Sequence, residues 1–422
     1  MSDGSDSGGS LVTVKLMKDE KGGLMWEEGI ASVSFYTGNF AEASAAILEQ
    51  FKKIVAANPW LAGRLVKSKE DGVCLVHPAS PSEEDINRLF QSTSFGDTGG
   101  FKLAPNASYV DTCRSMYKSK KRVVVGAGMQ DVCTILTLSE SSPGEFALIF
   151  SISHVIGDGR TKYDILNMLS PGTEVTALVS TRIMSFSESM RDMCGRRELA
   201  WIDKPSSLFM MMGAVMPAMM GCKKVTCTAF KLCPDRVAEI KQSATKDGDV
   251  SYVSTNDIIT STFFSSCKVR IGVMGLDCRG RVDGISNDLA GNYVTALTMD
   301  PATFSKPASV RKVLSSTPYQ TTGMPLPSCC SWLMGEKMKT GMITNWSSFA
   351  GNLVQLESCK MKVHLPVLNP DMVMWDNMVP FAYEAGEIGL LCWSTSLDEN
   401  GLREALPVKG CISQELFPDS SS

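Results

Sequence analysis

Apolar and polar side chains alternate through residues 10–16, SLVTVKL, and that period of two predicts a short strand. From Asn39 the period lengthens. Phe40, Ala43, Ile47, Leu48, Phe51, Ile54 and Val55 then fall on one helical face, with Asn39 placed to cap it and Pro59 beyond its end. Residues 63–78 read as two short strands around the turn KEDG. Strands follow at 122–126, 133–138 and 146–153, the last two joined as a hairpin through SESSPGE, and a helix begins at Gly159. In the second half, 223–232 predicts a strand, 233–248 a helix, and 254–270 a helix with Ser254 or Thr255 near its cap. RIGVMGLD (270–277), NYVTALTMD (292–300) and IGLLCWSTSL (388–397) add strands. Residues 184–225 show no steady period and read as a long crossover. The expected organisation is a disordered 1–10, a first subdomain over 11–183, the crossover, and a second subdomain over 226–422.

Composition narrows this picture. Hydrophobic residues at 44% and charged residues at 20% are globular values, and 422 residues exceed one ordinary core. Lys and Arg number 41 against 45 Asp and Glu, a formal charge of −4, so nothing here argues for a nucleic-acid partner. The start, MSDGSDSGGS, lacks the basic and apolar parts of a secretion signal. Fourteen scattered cysteines form neither a disulfide framework nor a zinc motif, which points to reduced thiols and a cytoplasmic setting. No stretch reaches the roughly 20 apolar residues of a membrane span. The nearest, Leu208 to Cys222, is Met-rich and interrupted by Gly213 and Pro217. It suits a buried connector, or a contact with a membrane surface or a lipophilic substrate.

Two stretches carry candidate chemistry. VVVGAGMQD (123–131) resembles the opening of a dinucleotide-binding turn, but Asp131 stands where the third glycine belongs. The residues that follow it read as strand, without the helix N-terminus that would hold phosphate. FALIFSISHVIGDGR (146–160) holds one of only three histidines. As a core residue His154 would need a partner. As a metal ligand it lacks company, since His77 and His364 are distant and no His/Cys cluster surrounds it. As a general base it would need a strand end, a cavity and a group to hold the ring. Gly157 and Gly159 would let the backbone turn there, with Asp158 placed to fix the turn.

SHVIGDG (153–159) resembles the HxxxDG motif of the CoA-dependent acyltransferase superfamily. That superfamily includes chloramphenicol acetyltransferases, condensation domains, wax-ester synthases and BAHD acyltransferases. Further segments resemble BAHD stretches in the same order: NPWLAGRL (58–65), VSTNDIITSTFF (253–264), GLDCRGRVDGISNDLAGNYV (275–294) and TNWSSF (344–349). Two features depart from the pattern. Ser153 replaces the second histidine of condensation domains, and AGNLVQLE follows TNWSSF where BAHD enzymes carry DFGWG.

The resemblance implies an α/β fold of two similar-sized chloramphenicol-acetyltransferase-like subdomains, each a mixed sheet with flanking helices, and an active-site tunnel between them. It implies acyl transfer from acyl-CoA to a small alcohol or amine, with acetyl-CoA or a longer acyl-CoA as co-substrate and no permanently bound cofactor or metal. The enzyme would be a monomer. His154 would be the base, Gly159 would keep the cavity open, and Asp158 would support the loop by pairing with an arginine, Arg281 favoured over Arg279. Thr344, Trp346 and Ser347 are the oxyanion candidates. Asn292 would position the strand beside the CoA tunnel, and Lys223 and Lys224 would meet the nucleotide phosphates. Arg64 reads as a surface charge. A condensation-type enzyme using carrier-bound donors and a non-catalytic binding protein are the alternatives.

Overall fold

The computed structural model describes residues 10–22, 24–27, 29–97, 109–118, 128–202, 204–207, 209–210, 213, 220, 225–246, 250–316, 318–319, 326–328, 333, 339–351, 353–369 and 375–412. Two large sheets organise them. The first places Cys359–Val367, Gly29–Gly38, Glu145–Ser153, Thr134–Ser142 and Phe90–Thr93 side by side. Its pairs are antiparallel except the last, which is parallel. The second has seven strands in the order Val294–Met299, Ile271–Asp277, Thr340–Thr344, Asp376–Glu384, Glu387–Ser394, Thr226–Leu232 and Val408–Cys411. Thr340–Thr344 runs parallel to both its neighbours, so this sheet is mixed as well. A small antiparallel sheet of Leu11–Lys15, Gly72–Pro78 and Arg64–Ser68 packs Val14, Leu65 and Leu75 into the same core as the first. The fold is therefore mixed α/β, as the pattern predicts.

Local signals produced the expected elements. The helix Phe40–Ala57 starts at Asn39, whose side chain accepts from the Glu42 N–H, and it buries Ile47, Phe51, Ile54 and Val55. Strands Thr134–Ser142 and Glu145–Ser153 pair as the expected hairpin. The helix Thr255–Ser266 opens on a reciprocal cap between Ser254 and Asp257.

The structure also corrects the expectations. Within the supposed irregular crossover lie two helices, Phe186–Cys194 and Arg196–Ile202. Phe186, Met193, Cys194, Leu199 and Trp201 are buried, a face the scattered methionines disguised. The strand Gly29–Gly38 went unread although Ala31, Val33 and Phe35 alternate with Ser32, Ser34 and Tyr36; both sets are buried, the polar one included. Cys359–Val367 comes from late in the chain yet pairs with Gly29–Gly38, so the two large sheets do not divide at residue 225. The strand expected at 122–126, Lys223, Lys224 and most of 208–222 lie outside the described residues. Among the described residues no helix is long and apolar enough to cross a membrane.

Candidate active site

His154 is the first residue beyond the buried strand Glu145–Ser153. The chain turns at once, with Ile156 N–H donating to Ser153 O at 3.1 Å. Asp158 then caps the helix Gly159–Asn167, its carboxylate accepting from the Thr161 N–H at 2.9 Å. Both glycines answer to close packing. A Cβ on Gly157 would lie 2.8 Å from the Thr161 methyl, and one on Gly159 would lie 3.1 Å from the Trp346 indole nitrogen. A side chain at 159 would force Trp346 to give way by a few tenths of an ångström.

This turn opens onto a cavity of about 280 Å³ between the two large sheets. Met25 and Ile30 wall it on the first side, and Val273, Val294, Ala296 and Met342 on the second. His154, Arg160, Asp277, Thr344, Asn345 and Trp346 supply its polar edges. The walls are mostly apolar, with few groups able to orient a ligand, as is usual for small-molecule sites.

Asp158 meets Arg279, not the favoured Arg281. Arg279 Nη1 lies 2.9 Å from Asp158 Oδ2, and its Nη2 lies 3.2 Å from Oδ1. Arg279 also donates to the carbonyls of Leu289 and Gly291 and to the Thr161 hydroxyl, so every part of the guanidinium has an acceptor. Arg281 instead donates to the Tyr319 hydroxyl at 3.1 Å. Burial alone would raise the Asp158 carboxyl, but Arg279 and the Thr161 N–H outweigh it and hold the group below the usual carboxylate range. This carboxylate braces the turn, its oxygens accepting from Arg279, the Thr161 N–H and the Tyr293 N–H.

Asn292 stands just before the strand Val294–Met299 and reaches the histidine loop. It lies against the histidine, its Oδ1 3.0 Å from His154 Nδ1. Its Nδ2 donates to His154 O at 2.7 Å and to Glu20 Oε1 at 3.2 Å. Because Nδ2 faces two acceptors, Oδ1 must be the atom facing the ring. An amide oxygen only accepts, so Nδ1 carries the proton and Nε2 keeps its lone pair. Among the described residues Nε2 has no partner. Burial lowers the pKa of His154 from 6.5, although its own carbonyl, Asp158, Asn292 and Glu20 all pull the other way. The imidazole is therefore neutral near pH 7 and can accept a proton.

Of the three oxyanion candidates, Thr344 and Trp346 line the cavity and Ser347 does not. Ser347 donates its hydroxyl to Asn345 Oδ1 at 2.7 Å, which is local turn chemistry. The backbone N–H groups of Trp346 and Ser347 both go to Pro380 O. What remains is the Thr344 hydroxyl and the Trp346 indole N–H, neither with a hydrogen-bond partner among the described residues. Sequence reading missed Asn345, Arg160, Asp277 and Glu20. Asp277 stood in the quoted DCRGR stretch and Arg160 directly after the motif. Glu20, inside the charged run KDEK, carried the marks of a surface residue.

Behind Trp346 lies a buried polar cluster. His364 joins Ser34 at 2.8 Å and the Tyr163 hydroxyl at 3.0 Å, and Trp346 packs edge-on against Tyr163. Lys162 is wholly buried there, bonding Ser32 Oγ and lying over the Tyr163 ring. Burial pushes its pKa well below 10.5. Below about 10.5 the unfolded chain therefore holds a proton at this position more firmly than the native state does, so Lys162 makes stability rise with pH towards that value. Buried thiols such as Cys113, Cys133 and Cys392, whose pKa burial raises, pull stability the other way once the unfolded thiols ionise, so the Lys162 contribution is read from urea unfolding of wild type and Lys162→Met side by side between pH 7 and 9. Lys162→Met is expected to be more stable than the wild type at pH 7 by a margin that shrinks as pH rises; a margin that does not shrink would contradict it.

No family model matches the chain, and no curated protein matches it in sequence. Solved structures do match in fold. TRI101 from F. graminearum, crystallised with coenzyme A and T-2 mycotoxin, superposes with a TM-score of 0.55 at 14% identity, covering 93% of this chain and 96% of its own. Polyketide synthase associated protein 5 from Mycobacterium tuberculosis gives 0.58 at 14% identity over 94% and 97%. The first condensation domain of the CDA synthetase gives 0.56 at 10% over 93% of each chain.

Proposed function

We propose that this protein is an acyltransferase that moves an acyl group from acyl-CoA to the hydroxyl or amine of a small, largely apolar acceptor. The observation that carries the reading is His154, a neutral imidazole whose Nε2 lone pair has no partner among the described residues, beside an apolar cavity that also exposes two donors without partners among them. Nε2 takes the acceptor's proton as its oxygen or nitrogen attacks the thioester carbonyl, forming the new bond and a tetrahedral oxyanion. The Trp346 indole N–H and the Thr344 hydroxyl are the candidate donors to that oxyanion. Collapse breaks the carbon–sulfur bond, and the imidazolium returns its proton to the departing thiolate. TRI101, which shares the fold, was crystallised with coenzyme A and a small mycotoxin, and that supports a diffusible CoA ester as donor. Lys223 and Lys224 remain the proposed partners of its phosphates.

A second reading rests on the condensation domain, whose fold matches as well as that of TRI101. There the donor would be held on a carrier protein. The experiment is CoA-thiol release from acetyl-CoA and longer acyl-CoAs in the presence of pooled alcohols and amines. Acceptor-dependent release is the expected result. Release only from an acylated carrier would replace the first reading with the second, and no transfer from either donor would overturn both.

A further inference from the structure

We propose that Glu20 is a positioning residue for His154 and selects the base's productive tautomer through the side-chain amide of Asn292. Glu20 sits in the short 3-10 turn Lys18–Lys21, 272 residues from Asn292, and its carboxylate is wholly buried. Oε1 accepts from the Asn292 backbone N–H at 3.1 Å and from its Nδ2 at 3.2 Å. Oε2 accepts from the Met17 N–H at 2.9 Å, and Arg182 Nε lies 3.0 Å from both oxygens. Arg182 is itself fixed, donating to the carbonyls of Ser180, Ala290 and Ile156. A side chain on Gly291 would intrude on it, since a Cβ there would lie 2.9 Å from the guanidinium.

The consequence concerns one rotation. An asparagine amide can turn over and exchange its oxygen and nitrogen at little steric cost. Turned over, Asn292 would aim its oxygen at the Glu20 carboxylate and at His154 O, three acceptors together in a buried space. Its nitrogen would then meet His154 Nδ1, and the ring would have to carry its proton on Nε2. That tautomer cannot accept a proton from a substrate in the cavity. The buried charge of Glu20 and the His154 carbonyl together hold the amide the other way, and Arg182 keeps that charge in place without offering Asn292 a competing acceptor. Exposure alone does not account for a carboxylate and a guanidinium both being withdrawn from water here, which is costly unless each is fully hydrogen-bonded.

Glu20→Gln separates the charge from the shape. Glutamine removes the charge that opposes a turned-over Asn292 oxygen and leaves the His154 carbonyl to oppose it alone, so the second amide orientation becomes populated. With only three histidines in the chain, ¹⁵N NMR of imidazole-labelled protein reads the His154 tautomer directly and without substrate. The expected result is an Nδ1–H tautomer in the wild type and a mixed population in Glu20→Gln. In the acyl-transfer assay kcat falls at least in proportion to the productive tautomer lost, while the KM for acyl-CoA stays near its wild-type value. The kcat arm rests on the acyltransferase reading, whereas the NMR arm does not, so an inactive wild type would leave the tautomer result standing. An Nε2–H tautomer in the wild type would overturn the proposal whether or not the variant folds. So would a folded Glu20→Gln with an unchanged tautomer.

Discussion

His154→Ala is expected to lower kcat by about 10²- to 10⁴-fold, with the KM for acyl-CoA little changed, because it removes a proton acceptor that acts only in the transition state. The backbone around it should hold. Asp158, Thr161 and Arg279 fix the turn independently of the ring. The loss should therefore be catalytic, with a thermal midpoint near that of the wild type. His77→Ala is the natural control, since His77 lies on the small sheet with its Nδ1 at the Pro78 carbonyl and does not line the cavity. Steady-state release of CoA thiol from both variants decides the matter. Turnover by His154→Ala within a few-fold of wild type would remove the histidine from the chemistry and with it the mechanism proposed above.

Arg279→Ala is expected to destabilise the fold by about 3–5 kcal/mol, the usual cost of stranding one member of a buried ion pair. Asp158 would keep its burial and lose its counter-charge, and the carbonyls of Leu289 and Gly291 would each lose a donor. Arg281→Ala removes only a contact with the Tyr319 hydroxyl and should cost about 1 kcal/mol or less. Urea unfolding of the two variants, two positions apart, reads the difference directly. Equal costs would mean that the ion pair is not what shapes the histidine loop. Because the pair is a brace, Asp158→Asn should likewise lose stability before it loses the ability to bind acyl-CoA.

What could be read from the sequence was what neighbours in the chain determine. Helix caps depend on residues three apart, and so Asn39 with Glu42 and Ser254 with Asp257 were legible as patterns. A hairpin depends on two adjacent runs and a turn, and Thr134–Ser142 with Glu145–Ser153 follows that rule. The strand end at His154, the glycines after it and the capping Asp158 were visible for the same reason, as one short stretch with its own logic. The resemblance to HxxxDG then supplied a role that spacing by itself left open.

Tertiary structure decided the rest. Arg279 and Arg281 flank one glycine in an irregular turn, and nothing in DCRGR says which guanidinium faces Asp158, 121 residues away. Nothing in AGNY says that Asn292 meets a ring 138 positions earlier in the chain. Glu20 carried no signal, because a glutamate in a charged run is ordinarily solvated, and only its burial against Arg182 makes it otherwise. Cys359–Val367 could have paired within its own half, yet its partner is Gly29–Gly38. Sequence by itself determined the α/β class, the elements with local caps and turns, and the position of the histidine. Which groups surround that histidine follows from contacts more than 100 residues apart, and the identity of such partners is settled by packing and charge compensation in the folded interior, which no local pattern encodes.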